Sequence, residues 1–197
     1  MTKKATQPAE LPTLSFAVSR AFDAWLADNH ASSRGIWLRL ARKTSDTASI
    51  TYAEAVDVAL AWGWIDGQKR SGDETSWLQK FTPRAAKSVW SKINRQKALA
   101  LIDAGAMQPA GRAEVERAKR DGRWDRAYDP PSRATVPDDL RTALAGNPKA
   151  AAFYQTLNAR NRYAVLWRVH TAKRAETRQK RITALVAMLA RGEKIHP

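Results

Sequence analysis

The chain has no cysteine among its 197 residues. That excludes a disulfide framework, a thiolate zinc site and thiol catalysis together. Histidine is scarce: His30, His170 and His196 lie far apart and lack the i, i+4 spacing of a helical metal pair. No apolar run approaches the roughly 18 residues of a membrane span. The opening Met1-Thr-Lys-Lys-Ala-Thr-Gln-Pro8 lacks the apolar stretch of a secretory signal, so the expected location is the cytoplasm. There is no G-x-S-x-G, no phosphate-binding Gly-Lys loop and no dinucleotide fingerprint. The sequence therefore assigns no catalytic residue, no metal ligand and no cofactor. Negative charge is also in short supply, with 19 Asp and Glu against 34 Lys and Arg, a net charge of +15. Such an excess bears on partners rather than on fold.

What the chain has is a normal hydrophobic share of 44%, enough for a sizeable core. Residues 1–13, with Pro8 and Pro12, read as a flexible lead-in. Ser15 is a plausible N-cap for a helix whose Val18, Phe22, Trp25 and Leu26 form one apolar stripe. Ile36, Leu38 and Leu40 alternate with Trp37, Arg39 and Ala41, the period of a strand. Thr51-Tyr-Ala-Glu54 fits a capping box, with Ile50 stapling against Ala55 and Gly63 as the left-handed stop. Trp64–Arg70 and Trp77–Thr82 read as two strands joined by Ser71-Gly-Asp-Glu74. After Asn94, read as a cap, the period stays helical. Helices are expected at Pro109–Asp121 and Asp138–Ala145, after Asn147-Pro148, and around Ile182, Leu185, Val186 and Leu189. Tyr163, Leu166, Trp167 and His170 share one helical face, which makes His170 a core histidine by expectation. The class is α+β: a small antiparallel-containing sheet with helices in the N-terminal half, and an all-helical C-terminal half packed on it. The divisions are 1–13, an α+β region at 14–94 and a helical region at 95–197, within one compact unit.

The positive charge is concentrated. Residues 60–100 hold eight Lys and Arg against three Asp and Glu, and residues 155–197 hold ten against two. Concentration of this kind suits an anionic ligand or nucleic acid, while the bland reading is a solubilising surface. On a helical wheel Arg174, Arg178 and Arg181 continue the apolar stripe of Leu185 and Leu189, which makes them candidate anion-binding residues.

Four of the eight tryptophans lie within residues 62–90. Strand alternation puts Trp64, Asp66 and Gln68 on one face, and Trp77, Gln79 and Phe81 on the partner's. The candidate ligand-binding set is Trp62, Trp64, Asp66, Gln68, Arg70, Trp77, Lys80, Arg84 and Trp90, mixing aromatic area with orienting polar groups. The bland reading of the same set is core tryptophan with surface ion pairs such as Asp66–Arg70. Asp66 with Asp73 or Glu74 would be the acid–base pair of an enzyme reading, and Asp66 and Arg70 its working residues.

Ser49-Ile-Thr-Tyr-Ala-Glu-Ala-Val-Asp-Val-Ala-Leu-Ala-Trp-Gly-Trp-Ile-Asp-Gly-Gln68, Phe81-Thr-Pro-Arg84, Ser88-Val-Trp-Ser-Lys-Ile-Asn-Arg95 and Arg191-Gly-Glu-Lys-Ile-His-Pro197 carry a resemblance. Over nearly the whole chain, from Phe22 onward, the sequence resembles the YdeI/OmpD-associated, or bacteriocin-protection, proteins. The resemblance implies a role in bacterial tolerance to bacteriocins or antimicrobial peptides and carries over no catalytic motif. A chain of this charge repels cationic peptides at long range, so the expected route is indirect and intracellular. Nucleic-acid or polyanion binding is the alternative that the charge distribution offers.

Overall fold

In the computed structural model, which describes residues 10–197, alternation at Ile36–Ala41 becomes the second strand of a four-stranded mixed sheet. Its strands are β1 (Thr13–Ser15), β2 (Ile36–Ala41), β3 (Trp64–Ser71) and β4 (Ser76–Pro83), in the order β1-β2-β4-β3. β1 runs parallel to β2, and the other two pairings are antiparallel. The expected Ser15 cap is therefore corrected. Ser15 pairs with Arg39 in β1, and α1 (Ser19–Asn29) begins after Val18. Thr13, placed in the lead-in by the sequence, belongs to the same strand, while residues 1–9 lie outside the described residues.

Two helices cover one face of this sheet. Phe22 and Leu26 of α1, and Ala55, Val56, Ala59 and Leu60 of α2 (Tyr52–Ala61), join Ile36, Leu38, Leu40, Trp64 and Phe81 in one core. The Thr51–Glu54 capping box forms as expected, with the Thr51 side chain accepting from the Glu54 amide and Glu54 accepting from that of Thr51. Trp64 stands perpendicular to Trp25 at 5.9 Å, and its indole N–H donates to the His30 carbonyl. Trp64 is thus core, held at both its apolar and polar ends.

Helices α3 (Lys92–Asp103) and α4 (Pro109–Arg120) belong to this same unit, which runs to Ala127. Ala98, Met107, Val115 and Ala118 bury themselves in its core, so the helical period that sets in after Asn94 marks no boundary. The cap of α3 is Ser91, whose hydroxyl accepts from the Asn94 amide; Asn94 itself is inside the helix, a correction to the expected start. Ser-x-x-Asn offers two capping side chains three residues apart, and the earlier one prevails.

The second unit, Tyr128–Pro197, contains α5 (Asp138–Ala145), α6 (Pro148–Thr156), α7 (Ala159–His170) and α8 (Ala175–Ala190). Its core is built from Leu140, Leu144, Tyr154, Val165, Val169, Ile182, Leu185 and Leu189 among others. Asn147 and Asn158 cap α6 and α7 through their side chains. His170 is exposed at the end of α7, not in the core as expected.

Gly111 is where α4 passes closest to α2. A Cβ at Gly111 would lie 2.2 Å from the Ala61 carbonyl oxygen and 2.5 Å from the Met107 sulfur. The sulfur can move aside, but the backbone carbonyl cannot without shifting α2. Gly111→Ala should therefore destabilise the protein by about 2–3 kcal/mol, the upper range for overpacking. Denaturant unfolding with an unchanged m-value would show it.

Candidate functional site

The β3–β4 hairpin was the sequence's main candidate, and a bulge decides what it presents. Asp66 pairs with Phe81 and Lys69 with Gln79, so Gly67 and Gln68 together oppose Lys80. The buried Gln79 amide donates to the Gly67 and Gln68 carbonyls at 2.8 and 3.3 Å, which satisfies the widened backbone. Trp64 and Asp66 share a face as the alternation predicts. Beyond the bulge the parity reverses, and Lys69, not Arg70, continues that face. Gln68 sits exposed at the bulge.

On the helix-covered side Asp66 accepts from the Tyr52 hydroxyl at 2.7 Å, the Tyr52 and Trp77 rings are 5.9 Å apart, and the Lys69 ammonium stands 4.2 Å over Trp77. On the opposite side Trp37 is buried under the Arg70 guanidinium at 4.1 Å, with Lys80 at 6.0 Å. Asp66 and Arg70 consequently lie on opposite faces and form neither an ion pair nor a joint site. Asp66 is likewise separated from Asp73. That carboxylate is taken up by Arg39 at 2.6 Å and by the Ser76 and Thr75 hydroxyls.

The remaining candidates disperse. The Trp62 indole N–H donates to Asp23 at 2.7 Å and the ring packs on His30. Arg84, only 5% exposed, lies 3.6 Å over Trp90 and donates to the Val89 carbonyl. Arg117 reaches the Arg84 carbonyl, and Arg123 the Ser88 carbonyl at 2.6 Å. Three guanidiniums thus hold the loop between β4 and α3, and Trp90 stands edge-on to Trp124 beneath it. Four tryptophans close in sequence therefore serve separate places.

The C-terminal arginines also have local tasks. Arg174 is the exposed N-cap residue of α8. Arg178 grips Asp139 through Nε and Nη2 at 2.5 and 2.9 Å and donates from Nη1 to the Val169 carbonyl. Arg181 donates to the Arg168 carbonyl at 2.7 Å and to the Thr171 hydroxyl. Both cap the carbonyl end of α7, where cations are favoured by unpaired C=O groups and by the helix dipole. The Arg178 hydrogen bonds hold the Asp139 carboxyl below the ordinary carboxylate range.

The sequence reading passed over the surface of α7. An open groove of about 520 Å³ is lined by Tyr128, Pro131, Arg160, Tyr163, Trp167, His196 and two alanines, Ala159 and Ala164. Asn161, 1% exposed, fixes its C-terminal wall: its Oδ1 accepts from the His196 amide at 2.9 Å and its Nδ2 donates to the His196 carbonyl at 3.2 Å. Tyr128 is perpendicular to Trp167 at 4.7 Å. Burial, followed by the neighbouring Tyr128 and Asp129, pushes the Tyr163 hydroxyl up to about 12, so it stays protonated and donates to the Asp129 carbonyl. The available sequence signal was Tyr163 and Trp167 at i, i+4 beside small Ala159 and Ala164, a stripe that reads equally as core.

Hydroxyl donors, Ser76 first and then Thr75, pull Asp73 down to about 2. The unfolded value is about 3.9, so the folded chain binds fewer protons in between. This network stabilises above about pH 4 and loses its contribution as pH falls toward about 2. Asp73→Asn should lower Tm at neutral pH, and its gap to wild type should close in strong acid. A gap that is constant with pH would contradict the assignment.

Residues 14–114 match the model of a family described as a domain of unknown function, DUF8412, and residues 133–192 match one described as bacteriocin-protection, YdeI or OmpD-associated. No curated protein and no solved structure matches the chain. The first match spans just over half of the sequence, and the second lies within the unit that holds α5–α8. The chain belongs to the DUF8412 family and carries a C-terminal segment of the YdeI/OmpD-associated type.

Proposed function

We propose that this is a non-enzymatic protein that contributes to bacteriocin or antimicrobial-peptide tolerance by an indirect route inside the cell. The match of residues 133–192 to the YdeI/OmpD-associated model carries this reading. Two further observations support it. Asp66 and Asp73, the carboxylates from which a hairpin active site would be drawn, are engaged by Tyr52, Arg39 and Ser76 in bonds that hold the strands and the turn, and Arg70 stacks on Trp37. A net charge of +15 works against capturing a cationic peptide directly, because like charges repel within about a Debye length of the surface. Among the described residues no helix is long and apolar enough to cross a membrane. Deleting the coding sequence should lower tolerance to bacteriocins without the purified protein binding them. Unchanged tolerance in a clean deletion strain, or tight binding of the peptide itself, would overturn the proposal.

A second reading, binding of nucleic acid or another polyanion, is favoured by one feature of the hairpin. Lys69 and Lys80 are positioned by tryptophan rings, and neither is paired with a carboxylate among the described residues. Cations held in place by aromatic faces remain available to phosphates. Binding to duplex DNA should weaken linearly in log salt, with a slope of about −0.9 per phosphate contacted. Lys69 and Lys80 lie on opposite faces of the sheet, so whichever of Lys69→Gln and Lys80→Gln is on the face that meets the duplex should shallow that slope by about one. Arg178→Ala should leave it unchanged, since that side chain is committed to Asp139 and Val169. A slope insensitive to both lysine changes would retire the polyanion reading.

A further inference from the structure

We propose that the groove along α7 binds a small planar aromatic carboxylate. Its volume of about 520 Å³ falls within the range of small-molecule sites. Two of its walls are the partly exposed rings of Tyr163 and Trp167, whose centroids lie 6.2 Å apart at 35°. Offset and edge-on contacts with such rings favour another aromatic over an aliphatic chain. Ala159 and Ala164 lie on either side of the Tyr163–Trp167 pair on α7, and their small side chains leave the surface beside the rings low enough to admit another ring.

The charge at the rim selects the sign of the ligand. The lining includes the Arg160 guanidinium and no carboxylate. An ammonium ligand would find favourable ring faces but a cationic rim. A carboxylate finds the same faces and a planar guanidinium able to grip it with two parallel hydrogen bonds.

The position of His196 is built. Asn161, buried under the helix, holds the backbone of His196 from both its amide and its carbonyl. This two-ended clamp on the backbone sets the wall of the groove. This inference does not rest on either reading of the function.

Calorimetric titration of the full chain with 2-naphthoate, 2-naphthamide and 2-naphthylmethylamine tests the proposal. These probes share a ring system and differ in charge. The carboxylate should bind at least about tenfold more tightly than the neutral amide, the order expected for about 1.4 kcal/mol of charge-assisted bonding. The amine should bind most weakly. Arg160→Gln, an exposed change, should remove most of the carboxylate's advantage and leave the amide's affinity as it was. Ala164→Leu should weaken both by filling the floor, with Tm and circular dichroism reporting that the helix is intact. In ¹H–¹⁵N spectra the Trp167 indole signal, assigned by its absence in Trp167→Phe, should shift on titration. Equal affinity for carboxylate and amide, indifference to Arg160→Gln, or no binding of any probe at millimolar concentration would each overturn the proposal.

Discussion

A single buried amide determines how the hairpin presents its charge. Gln79 bridges the carbonyls of Gly67 and Gln68, and without a donor there the extra residue in β3 would leave backbone acceptors unpaired beside the core. With the bulge in place, every residue of β3 after Gln68 is transferred to the opposite face of the sheet. Lys69 goes to Trp77 and Arg70 to Trp37, whereas an unbroken strand would have kept Arg70 on the face of Asp66. The bulge thus divides the two cations between aromatic stacks on opposite faces. It also leaves Asp66 to the Tyr52 hydroxyl at the start of α2, which ties the edge strand to the helix above it.

The net charge of +15 overstates what an external anion would meet. Much of the arginine is internal apparatus. Arg84, Arg117 and Arg123 hold the carbonyls of one loop, and Arg178 and Arg181 those at the end of α7. A guanidinium suits this task because its five donors in a fixed fork can serve a carbonyl and a carboxylate together, as Arg178 does with Val169 and Asp139. Lys69 and Lys80 sit over ring faces instead, as Arg70 and Arg84 also do. Counting basic residues along the sequence cannot separate these two uses.

Most of the fold was legible where the signal is local. The Thr51 capping box, the stop at Gly63, and the Pro109 and Pro148 helix starts are short-range chemistry, and each is realised. What escaped depended on partners distant in sequence. β1 has three residues and acquires meaning only by pairing with Trp37–Arg39. The bulge depends on Gln79 from the neighbouring strand, and the Asn161 clamp spans 35 residues. Arg178 and Arg181 were singled out because they continue an apolar stripe, an accurate observation about their direction. They do point toward the packed side of α8, but a helix end was waiting there.

The strings that carry the family resemblance lie on constraints of these kinds. Phe81-Thr-Pro-Arg84 and Ser88-Val-Trp-Ser91 provide the loop that the three guanidiniums hold, together with the Arg84–Trp90 stack and the Ser91 cap. Lys194-Ile-His-Pro197 contains the residue that Asn161 holds at both backbone ends. These strings account for themselves as architecture: Phe81 packs on Phe22, Arg84 on Trp90, Trp90 on Trp124, and Ser91 caps α3. The C-terminal string differs in one respect. Asn161 takes hold of the His196 backbone alone, leaving the imidazole at the groove on α7. A backbone clamp would serve equally well with other side chains at that position. The clamp itself therefore makes no demand on the imidazole.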